Sequence, residues 1–240
     1  MVAGFIDALA GGGGLLALPA LLLTGMSPLM ALGTNKMQGC VGTATSASVM
    51  FYKKAVGWED IKMLALSAFI GSLLGTIAVQ FVDTTALNIL IPIVLLSIAL
   101  FFLCVPNIGD TVKKPVLSER IYRTGVIPVI GWYDGMFGPG TGAFFSLAGV
   151  GWRGENLIQA TARAKVMNFS TNVAAIIVYA GFGQLALDAG AAMIIGQLIG
   201  AWLGAHSLLK IKPRILRMII VCLCFAMLIK HALQHNWISL

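Results

Sequence analysis

The sequence predicts an all-α polytopic membrane protein made of two inverted four-segment repeats. Each repeat is expected to contribute a glycine-broken re-entrant hairpin and three transmembrane helices. Three observations carry this reading. Apolar residues make up 58% of the 240-residue chain and charged residues only 10%, with a mean hydropathy of +0.92, whereas a soluble domain carries about 25% charged residues. The chain divides into apolar stretches of roughly 20 residues, the length that crosses a ~30 Å hydrocarbon core. Finally, a pattern near the N-terminus, GFIDALAGGGGLLALP, returns past the middle as GWYDGMFGPGTGAFFSL.

Taken in order, the first stretch covers residues 2–25 and is broken over residues 11–14 by four consecutive glycines. Each of these costs roughly 1 kcal/mol relative to alanine inside a helix. Ser27 and Pro28 read as N-cap and first helical residue of a second stretch ending near Tyr52. The third runs over about 61–82. The fourth, over about 84–105, has Asp83 as its expected cap. A polar linker, residues 106–119, separates a first repeat (1–105) from a second (120–240). The fifth stretch, 121–150, breaks at Gly138, Pro139 and Gly140. The sixth covers about 157–180, the seventh 185–209 and the eighth 213–233.

The halves match beyond their breaks. Gly4 falls on Gly131, Asp7 on Asp134, Gly11 on Gly138 and Gly14 on Gly142, while ALGTNK aligns with ATARAK and IGSLLG with IGQLIG. Such an internal duplication sets the architecture. Only ten residues precede the first break, against seventeen (121–137) before the second. The natural chain is therefore expected to start upstream of Met1, or its first half-helix to be short.

Orientation follows from basic residues. If all eight stretches spanned, Lys53, Lys54, Lys62, Lys113, Lys114, Arg120 and Arg123 would lie opposite Arg153, Lys210, Lys212, Arg214 and Arg217. If stretches one and five instead dip in and return, all of these share one face and only Lys230 lies on the other. The positive-inside rule prefers that arrangement. It makes the repeats inverted, puts the linker in the cytoplasm and puts both termini in the periplasm. The net charge of +7 thus belongs to topology, and nucleic acid is not an expected partner. Cys40, Cys104, Cys222 and Cys224 lie in apolar runs without CxxC spacing and read as small buried hydrophobes. Trp132, Trp152, Trp202 and Trp237 read as interface anchors or packing.

Five strongly ionisable residues remain inside the spans: Asp7, Lys36, Asp134, Arg163 and Lys165. Lys36 and Lys165 each follow their helix start by eight residues, ~12 Å along the axis. A charge at that depth needs a partner or a watery cavity. Broken helices in inverted repeats build such sites, their free N–H groups facing an anion. The candidate anion ligands are Gly12, Gly13, Gly14, Asn35, Lys36, Gln38, Gly140, Thr141, Gly142, Arg163, Lys165 and Asn168. Asp7 and Asp134 would balance the lysines or carry a coupled proton, or a sodium ion would serve in its place. The two aspartates leave Arg163 in surplus, which favours an anion. Thr43, Ser170, Thr171 and Asn172 lie on the same two helices and offer further hydrogen bonds. A plainer reading stands beside this one. The Asp–Lys sets then clamp the hairpins as structural ion pairs, and the hydroxyls and amides join helices. Gly71, Gly75, Gly196, Gly200 and Gly204 form small-xxx-small rows that pack helices within one chain or between the copies of a homodimer.

GFIDALAGGGGLLALPALL with ALGTNKMQG, and GWYDGMFGPGTGAFF with ATARAKVMN, resemble the TauE/SafE family of bacterial membrane proteins, also called the toluene-sulfonate uptake permease family. The resemblance covers essentially the whole chain, although members similar to it carry a longer apolar lead-in. It implies a bacterial inner-membrane transporter of small sulfur-containing anions. The expected function is a secondary transporter exporting sulfite, sulfoacetate or another organosulfonate, without cofactor or metal. The alternatives are an importer or channel for another small anion, or a membrane-embedded enzyme or scaffold of sulfur metabolism. Against an enzyme, the sequence has no metal-ligand cluster, no paired cysteines and no His–carboxylate spacing.

Overall fold

The computed structural model describes residues 1–81 and 112–212, together with residues 96, 100, 214–216, 218–219, 221–222, 225–226 and 229; of residues 15, 19 and 23 only the backbone is described. Among the described residues the structure is helical, without strands. The fourth stretch with its Asp83 cap, the linker up to residue 111 and most of the eighth stretch lie outside the described residues.

Among the described residues, eight helices carry the architecture. In the first half these are α1 (Val2–Ala10), α2 (Gly13–Leu23), α3 (Pro28–Tyr52) and α4 (Trp58–Val79). In the second they are α5 (Ile127–Met136), α6 (Thr141–Arg153), α7 (Leu157–Gly181) and α8 (Leu187–Leu208). A short helix, Glu119–Ile121, and a π-helical turn, Tyr122–Val126, lead into α5 without a break. α3 starts where Ser27 and Pro28 predict, with Pro28 in the first turn, although the Ser27 hydroxyl makes no capping bond. α7 has an N-cap beyond those the sequence predicts: Asn156 accepts from the Gln159 N–H at 2.8 Å. α4 and α8 are long and apolar enough to cross a membrane by length and composition. α3 and α7 are longer, at 25 residues each, and polar residues run through both.

The breaks differ from the expected bounds, the first being narrower and the second, residues 137–140, one residue wider. The first comprises only Gly11, in the left-handed region at φ 71°, and Gly12; Gly13 and Gly14 already belong to α2. α2 folds back on α1, with Gly13 against the Asp7 Cβ and the Ala3 carbonyl. The second break turns at Gly138 (φ 88°) and Gly140 (φ 81°). α6 returns along α5 until the Trp152 carbonyl accepts from Val116 N–H at 2.9 Å. Nearby, Arg153 Nη1 reaches the Leu117 carbonyl at 2.9 Å. These contacts bring the end of α6 beside residues 116–117.

The halves are packed crosswise. α1 of the first half lies on α8 of the second, α5 of the second lies on α4 of the first, and α3 and α7 cross between them. Glycine rows make this possible. A Cβ on Gly71 or Gly75 would sit 2.1 or 2.0 Å from the Pro128 or Trp132 carbonyl, and one on Gly200 2.0 Å from the Met1 carbonyl. Backbones at this separation gain dispersion contacts that a larger residue would prevent. The small-xxx-small rows therefore join elements within one chain. Ser170 and Ser72 complete the α4–α7 contact by donating to the Ala65 and Thr171 carbonyls at 2.7 and 2.8 Å.

Candidate functional site

The two breaks meet at the centre of this crossing. A Cβ on Gly11 would fall 2.2 Å from the Gly142 Cα, and one on Gly142 2.4 Å from the Gly11 Cα. Only glycine at both positions allows the hairpin tips to touch.

Each aspartate closes its own break. Asp7, in the last turn of α1, turns its Oδ1 to accept from the Gly13 N–H at 3.1 Å. A carboxylate at a helix N-terminus satisfies a free donor and complements the dipole. Asp134 Oδ1 accepts from the Thr141 hydroxyl at 2.7 Å, at the start of α6. Each lysine then crosses to the other half. Lys36 of α3 pairs with Asp134 Oδ1 at 2.7 Å, their side chains 3% and 1% exposed. Lys165 of α7 donates to the backbone carbonyl of Asp7. Charges so thoroughly buried are tolerated only when paired in this way.

A small cavity remains between these groups. Its backbone wall comes from Gly11, Gly14, Gly39 and Gly138, its charges from Asp7, Lys36 and Asp134, and its amides from Asn35, Gln38, Asn168 and Asn172. It measures about 20 Å³ to the centre of a water-sized sphere, which is room for one water and too little for a sulfonate. The amides are oriented by their neighbours. Gln38 Nε2 donates to Asn35 Oδ1 at 2.9 Å, and Asn172 Nδ2 donates to Asn168 Oδ1 at 2.9 Å. Asn35 and Asn168 thus line the cavity with their amide oxygens already engaged.

The expected ligands divide accordingly. Gly14, Asn35, Lys36, Gln38 and Asn168 line the cavity with both aspartates. Gly12, Gly13, Gly140, Thr141 and Gly142 shape the breaks behind it. There the Gly13 N–H and the Thr141 hydroxyl are already held by the aspartates. Lys165 sits behind the end of α1. The surplus expected of Arg163 is corrected: it pairs with Glu155 at 2.5 Å, their side chains 20% and 11% exposed. That pair belongs to a separate polar cluster with Asp60, Glu119, Tyr122 and Arg153. Glu155 carries no signal in the sequence because it lies between two apolar stretches, yet the turn after α6 carries it back over α7. Gly39 is not among the expected ligands, and Asn172 is expected only as a source of a further hydrogen bond, although the spacing signals both. Gly39 is four residues from Asn35, and Asn172 four from Asn168, so each pair shares a helix face.

Comparison with known proteins places the chain in a family. The family model for the sulfite exporter TauE/SafE matches residues 1–231. A Haemophilus influenzae "Probable membrane transporter protein" is 44% identical over 98% of this chain and 92% of its own length. The Escherichia coli K12 "Probable membrane transporter protein YfcA" is 37% identical over 92% of this chain and 82% of its own. A Sinorhizobium "Probable membrane transporter protein ORF9" is 36% identical over 95% and 88% respectively. No solved structure matches the chain.

Proposed function

The chain belongs to the sulfite exporter TauE/SafE family of membrane transporters, and we propose that it is a secondary transporter that exports a small sulfur-containing anion. Sulfite, sulfoacetate and related organosulfonates are the substrates that the site chemistry suits. The protein would sit in the bacterial inner membrane as one domain of two inverted repeats. α1–α2 and α5–α6 would be re-entrant hairpins, the linker would be cytoplasmic and both termini periplasmic. The distribution of basic residues supports this topology.

The observation that carries the substrate class is the donor set of the central cavity. Lys36 and the amides of Asn35 and Asn168 line it together, beside the ends of two broken helices. Tetrahedral oxyanions need several donors of this kind around a positive charge. In this conformation the Asp7 and Asp134 carboxylates occupy the places of an anion, holding the Gly13 N–H, the Thr141 hydroxyl and Lys36. Entry of substrate displaces carboxylate from Lys36 as the hairpin tips separate at Gly11 and Gly142. One repeat then rocks against the other, and the cavity opens to each side in turn.

Thermal stabilisation of the purified protein by sulfite, sulfoacetate, taurine, sulfate, acetate and chloride tests this reading. A true substrate at a hundred times its Kd adds about 2.7 kcal/mol of stability. Selective stabilisation by sulfite or a sulfonate, lost in Lys36→Ala, is the expected result. Normal transport by a Lys36→Ala, Lys165→Ala double variant in proteoliposomes would overturn it.

A further inference from the structure

The two lysine–aspartate contacts are chemically unequal, although the repeat makes them formally equivalent. Lys165 holds the backbone carbonyl of Asp7, the same oxygen that accepts from the Gly11 N–H at 2.7 Å. It is a cation at a helix C-terminus, a favourable place for one. The Asp7 carboxylate is turned the other way, to the Gly13 N–H. Adding a proton to Asp7 therefore leaves the Lys165 contact in place.

Lys36 is held by the carboxylate itself, through Asp134 Oδ1 at 2.7 Å. The second oxygen, Asp134 Oδ2, is buried and makes no hydrogen bond, while its residue forms part of the cavity wall. A buried acceptor without a partner is rare and calls for an explanation. A proton added there abolishes the charge that holds Lys36.

Resting on the transport reading above, we propose that Asp134 is the proton-coupling group and that its carboxylate and the substrate anion compete for Lys36. One proton from the aqueous phase binds Oδ2 and gives the neutral acid. The Lys36 ammonium, unchanged, is released to the anion. When the anion leaves, the acid returns its proton to water and the ion pair re-forms. Anion and proton thus travel together, one for one. For the sulfite dianion the net load is one negative charge, which an inside-negative potential expels. For a monovalent sulfonate the load is neutral and follows the concentration gradients. The titratable groups near Asp134 are Lys36 from α3, Asp7 from α1, Tyr179 from α7 and Tyr133 on α5 itself, with Lys165 beyond Asp7. α4 and α6 face this region with hydroxyls, Ser72, Thr76 and Thr141.

The test uses the full chain in proteoliposomes with methanesulfonate, which stays ionised across the working range, so that any coupled proton belongs to the protein. Sulfite flux is measured in parallel. Accumulation under an inward acid gradient is divided by accumulation without one. Wild type should approach a tenfold ratio per pH unit, about 1.4 kcal/mol of driving force. The ratio should fall to one in Asp134→Asn and persist in Asp7→Asn, whatever the absolute rates. A gradient-independent wild type, a coupled Asp134→Asn or an uncoupled Asp7→Asn would overturn the proposal while leaving transport standing. Should neither methanesulfonate nor sulfite move in wild type, the transport reading falls, and this proposal with it. If Asp134→Asn does not fold, infrared difference spectra of wild type and Asp7→Asn decide. A protonated-carboxyl band should appear on methanesulfonate addition in both, and its loss in Asp7→Asn assigns the proton to Asp7 instead.

Discussion

At the level of single side chains, burial decides what each charge can do. Lys36 and Asp134 are both almost completely enclosed, so truncating either leaves an isolated charge in a poorly solvated place. Lys36→Ala should cost about 3–5 kcal/mol, the usual penalty for breaking a buried pair. The Lys36→Ala, Asp134→Ala double variant should be more stable than the sum of the two single losses predicts, a coupling that thermal melts of all four proteins will read. Arg163 gives the contrasting case. Its partner is Glu155 at 2.5 Å, in a cluster apart from the central cavity, and not an anion between the breaks. Arg163→Ala should lower the melting temperature yet keep the anion-induced rise of wild type. A variant that lost that rise would return Arg163 to the binding site.

At the level of helices, glycines fail to be interchangeable because their surroundings differ. Gly11 has φ +71° and the Gly142 Cα 2.2 Å from a built Cβ, whereas Gly25 has φ +82° with nothing within 4 Å. Gly25→Ala should therefore cost only the backbone term, about 1 kcal/mol. Gly11→Ala must also push the two hairpin tips apart, and it should reduce both stability and transport. The same contrast holds between Gly75, 2.0 Å from the Trp132 carbonyl, and Gly181, which has open space. Gly75→Ala should loosen the α4–α5 contact, while Gly181→Ala should be neutral or slightly stabilising in its helix. Melting temperatures of the four variants, set beside transport rates, separate strain from lost packing.

Across the whole molecule, the crosswise arrangement makes the two repeats one structural unit. α1 completes the packing of α8 and α5 that of α4, while Lys36 and Lys165 each reach into the other half. A repeat expressed alone would expose its glycine row and leave its lysine unpaired. Chains covering 1–105 and 120–240 should each fail to give a folded, monodisperse species in detergent. Co-expressed, they should recover one, and size-exclusion chromatography with a thermal melt distinguishes these outcomes. If either half were stable alone, the exchanged helices would be dispensable to its core.

What the sequence determined by itself was whatever depends on local chemistry. Composition, apolar lengths and glycine breaks are enough for helical class and element order, and Pro28 after Ser27 marks the start of α3. The repeat pointed to Asp7, Lys36, Asp134 and Lys165, because a charge in an apolar run is costly wherever it finally packs. Tertiary structure decided the partners. Nothing along the chain says that Lys36 meets Asp134 through its carboxylate while Lys165 meets Asp7 through its backbone. Both contacts depend on helices more than ninety residues apart. Nor could the spacing show that Glu155 returns to Arg163, since that depends on the left-handed turn at Gly154 (φ 68°). Local sequence limits where charges and breaks can stand. Which atoms they finally touch depends on close-packed backbones, and those exist only once the two halves have crossed.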